Sequence, residues 1–182
     1  MTSHVLNYIL TGALPSKTDK KETINLLYPT GNIYERIDLK NGIKHGLTTV
    51  FTPSGDLWSQ SGYINGVLEG TVYKWYPSSS NGSLQQIEEE TNYTLGKKHG
   101  VYRKWYPLVN GESSSRLWIE CTYFKDKLHS WYTEYNQDGS ICTCTEYVYG
   151  EVSGLQRIVM DEYKNIPFNP VIKISSPKLK MK

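Results

Sequence analysis

The stretch GKKHGVYRKWYP, Gly96 to Pro107, places a histidine between two glycines, then two bases, then a Trp-Tyr pair. Taken alone it looks like a site. Thirty residues earlier the chain reads GVLEGTVYKWYP, Gly66 to Pro77. Both glycines and the KWYP ending recur, but Glu69 stands where the later copy has His99. A catalytic histidine is not expected to become glutamate in another copy. The stretch is therefore read first as a repeat, and self-similarity is sought along the rest of the chain.

Anchored on a glycine, three residues and a second glycine, the copies fall at Gly42/Gly46, Gly66/Gly70, Gly96/Gly100 and Gly150/Gly154, with a degenerate copy at Asp126/Ser130. The steps are 24, 30, 30 and 24 residues, so the register survives where the glycines are lost. Four columns follow. Five residues after the second anchor lie Phe51, Trp75, Trp105, Tyr135 and Val159. One residue after it lie Leu47, Thr71, Val101, Trp131 and Leu155. Three residues before the first anchor lie Leu39, Tyr63, Tyr93, Tyr123 and Tyr147, and nine before it lie Ile33, Leu57, Ile87, Leu117 and Ile141. All the offsets are odd, which in strands puts every column on one face. Alternation with aromatic and β-branched residues reads as β.

Each unit is then a hairpin, with one strand leaving the second glycine toward the Trp column and the next returning to the Tyr column. Turns are expected at Gly55, Gly82, Gly111 and Gly139. One hairpin is marginal in water, and stacking buries each ladder against the next. About ten strands at roughly 4.8 Å give a sheet on the order of 48 Å long. Trp105 is expected to be a buried ladder residue, worth about 3–5 kcal/mol. The two long units carry six extra residues each, within YPSSSNGSLQQ and YPLVNGESSSR. Both extensions fall on one edge. Loops lengthened on one side of a repeat array are either its binding edge or tolerated surface insertions.

The chain has 182 residues, with 20 Lys+Arg against 18 Asp+Glu, a balance that argues against a nucleic-acid binder. The 15 Tyr and 5 Trp against 3 Phe suit half-buried sheet faces and contact surfaces. Of the three cysteines, Cys142 and Cys144 sit two apart and are expected on one face; buried reduced thiols explain them better than a metal. This points to a reducing cytoplasm rather than a secreted chain. Residues 1–26 read as an irregular arm, 27–160 as the repeat domain of about five units, and 161–182 as a basic tail. The last ten residues, KISSPKLKMK, contain four lysines and no acid.

With YINGVLEGTVYKWY (Tyr63–Tyr76), NGIKHG (Asn41–Gly46) and LGKKHG (Leu95–Gly100), the chain resembles MORN repeats, and more closely the variant form whose second glycine follows a histidine. The resemblance covers about residues 27–160. It departs from the standard motif, which has a closer Gly-x-Gly pair. It implies an all-β, stacked β-hairpin solenoid with irregular terminal arms, used as a scaffold or docking module. It also implies settings: bacterial antitoxin and immunity systems, and large DNA viruses.

His45, His99 and His129 occupy equivalent positions. They read as turn histidines that hydrogen-bond the link or pack on an aromatic, with metal binding and pH sensing as the sharper alternatives. Glu88 and Glu90 are expected on one face, a charged and solvated one rather than an acid–base pair. No Gly-x-Ser-x-Gly, His-Glu-x-x-His or phosphate-loop motif occurs, so no enzyme, cofactor or metal is expected. Tyr34, Trp58 and Trp118 form a partial aromatic column with Glu88 and Cys142, and Tyr76 and Tyr106 are offset by two. These tryptophans are either docking anchors or lie under a cover made by the termini.

The expected function is a non-enzymatic repeat scaffold for protein–protein interaction or assembly, in the setting of a large DNA virus particle. The partner-binding candidates are Ser78, Asn81, Trp58, Trp118, Val109, Asn110, Lys178, Lys180 and Lys182. The repeat-defining residues are Gly42, Gly46, Gly66, Gly70, Gly96, Gly100, Gly150, Gly154, Tyr63, Tyr93, Tyr123, Tyr147, Trp75 and Trp105. Two rivals remain: an immunity protein blocking a toxin, and a module bound to an anionic membrane surface through the C-terminal lysines.

Overall fold

The computed structural model describes residues 19–78, 85–108 and 114–158, the side chains of 154–158 excepted. Of the candidates named above, Asn81, Val109, Asn110, Lys178, Lys180 and Lys182 lie outside the described residues, as do the expected turn glycines Gly82 and Gly111 and the tail 161–182.

The described chain is all-β, with no helix among the described residues. Thirteen strands form one open antiparallel sheet. They are β1 (Lys21–Leu27), β2 (Ile33–Lys40), β3 (Ile43–Phe51), β4 (Leu57–Ile64), β5 (Val67–Leu68), β6 (Gly70–Trp75), β7 (Ile87–Thr94), β8 (Lys97–Trp105), β9 (Leu117–Phe124), β10 (Lys127–Leu128), β11 (Ser130–Tyr135), β12 (Ile141–Val148) and β13 (Glu151–Ile158). Neighbours in sequence are neighbours in the sheet, with the two-residue β5 and β10 pairing off the main path against β4 and β9. The repeats expected from residue 27 already include β2, and the sheet begins one strand earlier, because KETINLL pairs in register with β2 from Lys21↔Lys40 to Leu26↔Glu35.

One edge of the sheet is made of five two-residue turns, Asn41–Gly42, Asn65–Gly66, Leu95–Gly96, Lys125–Asp126 and Tyr149–Gly150. All ten central residues have positive φ. That is the turn geometry matching the twist of paired strands. In the copy without glycines, Asp126 (φ 69°) and Ser130 (φ 76°) hold the left-handed backbone that Gly66 (φ 82°) and Gly70 (φ 83°) hold elsewhere. The degenerate copy is therefore a true copy in backbone. The turns are also tied to one another. The Gly66, Gly96, Asp126 and Gly150 N–H groups donate to the carbonyls of Lys44, Leu68, Lys98 and Leu128 in the preceding turn region, at 2.7–2.9 Å.

At the opposite edge, each returning strand carries one residue more than its partner. Val50 pairs with Ser59 but Phe51 with Leu57, and Lys74 pairs with Glu89 but Trp75 with Ile87. Lys104 pairs with Ile119 but Trp105 with Leu117, and Glu134 pairs with Thr143 but Tyr135 with Ile141. The first hairpin repeats this at Leu26/Glu35 and Leu27/Ile33. The extra residues are Tyr34, Trp58, Glu88, Trp118 and Cys142, the whole partial aromatic column. A β-bulge breaks strict alternation and re-aims a side chain.

That bulge corrects the expectation of one common face. The Trp column and the aliphatic column pair directly and share a face, joined by Leu47, Thr71, Val101 and Trp131. The Tyr column lies on the other face: Tyr93 pairs with Gly70, whereas Thr71 pairs with Asn92. Trp105 is half-buried on the Trp face, not buried as expected, because no second layer covers it among the described residues. Burial in this single layer falls on small residues flanked by long ones: Thr91 and Cys121 (each 2% exposed), Thr48, Thr49, Thr133 and Ile37. On the Tyr face, Thr91 pairs with Val72 and Tyr102, and Tyr102 with Cys121. Lys98 Nζ lies 4.9 Å over the Tyr123 ring and 5.7 Å over Tyr102. Burial pushes the Tyr102 phenol well above its usual range and the Cys121 thiol up to about 11.

Candidate functional site

The tip edge, opposite the five two-residue turns, carries the described candidates Trp58, Ser78 and Trp118. Every tip closes with the same backbone bond. In the short tips Tyr28 N–H donates to the Asn32 carbonyl, Thr52 to Asp56 and Asn136 to Ser140. In the long tips Tyr76 donates to Gln86 and Tyr106 to Arg116. The two long tips therefore share their base geometry with the short ones and belong to adjacent hairpins.

These bases are stitched together by side chains. Tyr28, Tyr76 and Tyr106 each donate their hydroxyl, at 2.8 Å, to the strand-end carbonyl of the next hairpin: Phe51, Trp105 and Tyr135. Gln85 reaches back to Leu57, accepting from its N–H at 2.8 Å and donating to its carbonyl at 2.7 Å. Gln86 reaches forward, donating to the Tyr106 carbonyl at 2.7 Å and accepting from Leu108 N–H at 2.8 Å. Arg116 donates to the Gln137 carbonyl at 2.9 Å. The sequence reading missed these residues as a set. A signal was present, since Tyr-Pro occurs at 28–29, 76–77 and 106–107, each time at a tip base.

Beside these bases the bulge residues project from the Tyr face. Tyr106 stacks on Trp118 at 5.0 Å and 17°, while Lys104 Nζ sits 5.1 Å from the other partner, the Trp118 ring, and 3.1 Å from Glu88. Trp118 is thus already half-buried between a ring and a cation. Tyr34 meets Tyr28 edge-on at 5.2 Å. Trp58 is 50% exposed, the more open of the two bulge tryptophans. Ser78, at the base of the first long tip, is half-buried.

The bulge also corrects two pairings expected from sequence. Glu88 joins Lys104 and Glu89 joins Lys74 (3.3 Å) on the Tyr face, but Glu90 pairs in register with Arg103 on the Trp face. Glu88 and Glu90 therefore do not meet. Cys144 lies on the Trp face, 3.4 Å from Thr133 Oγ1, while Cys142 is the bulge residue beside Tyr106 on the Tyr face. The two thiols are not side by side, and all three cysteines are free.

At the turn edge the histidine question resolves. His45 Nδ1 accepts the backbone N–H of Asn65, the first residue of the next turn, at 3.3 Å. Glu69, in the equivalent position, accepts the N–H of Leu95, the first residue of its next turn, at 2.8 Å. Histidine and glutamate are exchangeable here because either can offer an acceptor to the neighbouring turn. His99 packs on Phe124 at 5.0 Å, and His129 on Tyr149 at 4.8 Å. No group of three or more His, Cys, Asp or Glu gathers as a metal site among the described residues. No protein-family model matches this chain, and no curated protein or solved structure matches it.

Proposed function

We propose that the chain is a non-enzymatic β-hairpin solenoid of the MORN-like kind, acting as a scaffold that docks a protein partner along its tip edge. The observation that carries this reading is the repeated stitching of the tip bases. Tyrosine hydroxyls and Gln85, Gln86 and Arg116 hold adjacent hairpins in fixed relation, next to the two lengthened tips and the half-exposed Trp58. A held base lowers the ordering cost of binding, and exposed tryptophans are frequent anchors of protein interfaces. The resemblance to MORN repeats adds the setting of an assembly such as a large DNA virus particle.

The test is a chain in which both long tips are cut to the short form, with six residues removed from each beyond the shared base bond, and a separate Trp58→Ala variant. The sheet is expected to persist, since three hairpins already close with short tips. Stoichiometric capture of a protein partner by the intact chain, lost in both variants and retained in Trp131→Ala, is the expected result. Capture unaffected by either change would move the docking surface elsewhere. Salt-sensitive binding to anionic vesicles in place of a protein would favour the membrane reading instead.

A further inference from the structure

Among the described residues the first strand ends the sheet, and β1 pairs only with β2. Asn41 N–H donates to the Lys20 carbonyl at 2.8 Å, and Tyr28 N–H donates to the Asn32 carbonyl at 2.8 Å, so both ends of β1 use an even-numbered residue to bond inward. Backbone direction alternates along an antiparallel strand. The extra bulge residue belongs to β2, so the alternation runs unbroken through β1. Lys21, Thr23, Asn25 and Leu27 therefore aim their N–H and C=O groups outward.

The side chains also end abruptly. Ile24 pairs with Ile37, which is 6% exposed, yet Ile24 itself is 38% exposed. Leu26 on the same face is 44% exposed, and Leu27 on the other is 59% exposed. Open backbone groups with exposed aliphatics make an edge that accepts another strand.

We propose that β1 pairs antiparallel with β1 of a second copy, about a two-fold axis at Asn25. The outward backbone set restricts where such an axis can lie. An axis at Asn25 exchanges its own N–H and C=O with its symmetry mate and pairs Thr23 with Leu27 of the other copy, about six backbone bonds in all. It sets Ile24 against Leu26 and Leu26 against Ile24 on the Tyr face, so the aliphatics cover one another. No like charges meet, since Lys21 falls opposite Pro29. An axis at Thr23 would instead set Glu22 against Ile24 and Lys20 against Leu26. An axis at Lys21 would oppose two lysines, and one at Leu27 would bring Asn25 against Pro29, which has no N–H. Axes at Ile24 and Leu26 also join outward groups, but the first sets Glu22 against Leu26 and Lys21 against Leu27, and the second brings Thr23 against Pro29 and keeps fewer bonds. The register about Asn25 is the one that keeps about six backbone bonds while setting aliphatic against aliphatic, so the strand is self-complementary there, which is why the occupant is a second copy rather than an unrelated strand.

Sedimentation equilibrium of the full chain is expected to show a concentration-dependent dimer. Asn25→Pro removes an outward N–H at an edge, where proline is tolerated, so the variant is expected to be monomeric with its β circular dichroism retained. As a check independent of that fold, Asn25→Cys is expected to cross-link to itself on mild oxidation, because directly bonded pairs place Cα atoms about 5.5 Å apart, within disulfide reach. Lys21→Cys is expected to remain uncross-linked, as is the parent chain with its own three cysteines. A full chain that stays monomeric at its highest soluble concentration would overturn the proposal, whatever else covers that edge. So would a dimer that survives Asn25→Pro, or Lys21→Cys cross-linking as readily as Asn25→Cys.

Discussion

Leu95 gives the sharpest test of how the turn edge is built. It is the first central residue of a two-residue turn, with φ of 51°, and it is 77% exposed. An L-residue in the left-handed region costs roughly 1–2 kcal/mol, and asparagine is among the few that visit it readily. The equivalent positions of the first two such turns are Asn41 (φ 55°) and Asn65 (φ 50°). With so much of the leucine in water, its replacement loses little burial, on the order of a few tenths of a kcal/mol. The Glu69 contact is to the Leu95 backbone N–H, so it survives the change. Leu95→Asn should therefore stabilise the chain by about 0.5–1 kcal/mol. Urea unfolding measures this as a higher midpoint at unchanged m, and heating as a rise of about 2–4 °C per kcal/mol for a chain of this size. The reciprocal Asn65→Leu should destabilise by a similar amount, plus whatever its contact with His45 contributes. A lower midpoint for Leu95→Asn would refute the strain argument and mean that the exposed leucine is held by contacts outside the described residues.

Tyr106→Phe keeps the stack on Trp118 but deletes the hydroxyl bond to the Tyr135 carbonyl, and should cost about 1 kcal/mol by urea unfolding. Trp105→Ala should cost about 2 kcal/mol, below the roughly 3–5 of a fully buried tryptophan, because its ring is half-exposed; a cost at the upper figure would mean that the Trp face is covered. A thiol-exchange reagent at neutral pH should label Cys142 and Cys144 quickly and Cys121 only on unfolding, since Cys121 is 2% exposed and its thiol is pushed up to about 11. The same shift has a consequence for stability. The folded state holds the Cys121 proton more tightly than an unfolded chain near 9.0, so this contribution is complete below pH 9 and falls away as pH rises toward 11. Cys121→Ala should flatten that part of the alkaline unfolding profile, and an unchanged slope would contradict the assignment.

Much of the architecture is legible in the sequence because turn chemistry and alternation are local. Asn-Gly at 41–42 and 65–66 dictates two-residue turns, and spacing alone carried the register through Asp126 and Ser130, whose left-handed backbone the structure then shows. The equivalence of His45 and Glu69 was visible as an exchange, and their shared acceptor role follows once neighbouring turns are stacked. The first strand was not legible because KETINLL has no glycine anchor, although Tyr28-Pro29 marks the tip that follows it. The tertiary structure alone decided which face each column occupies. Trp58, Glu88, Trp118 and Cys142 carry no common side-chain chemistry that announces a bulge, since the bulge is a mismatch between two strands' hydrogen-bond registers and neither strand contains that information by itself. One unpaired residue reverses the alternation, and with it the faces of Glu88 and Cys142. A chain read by parity yields the strands, whereas only the paired backbone tells which way they look.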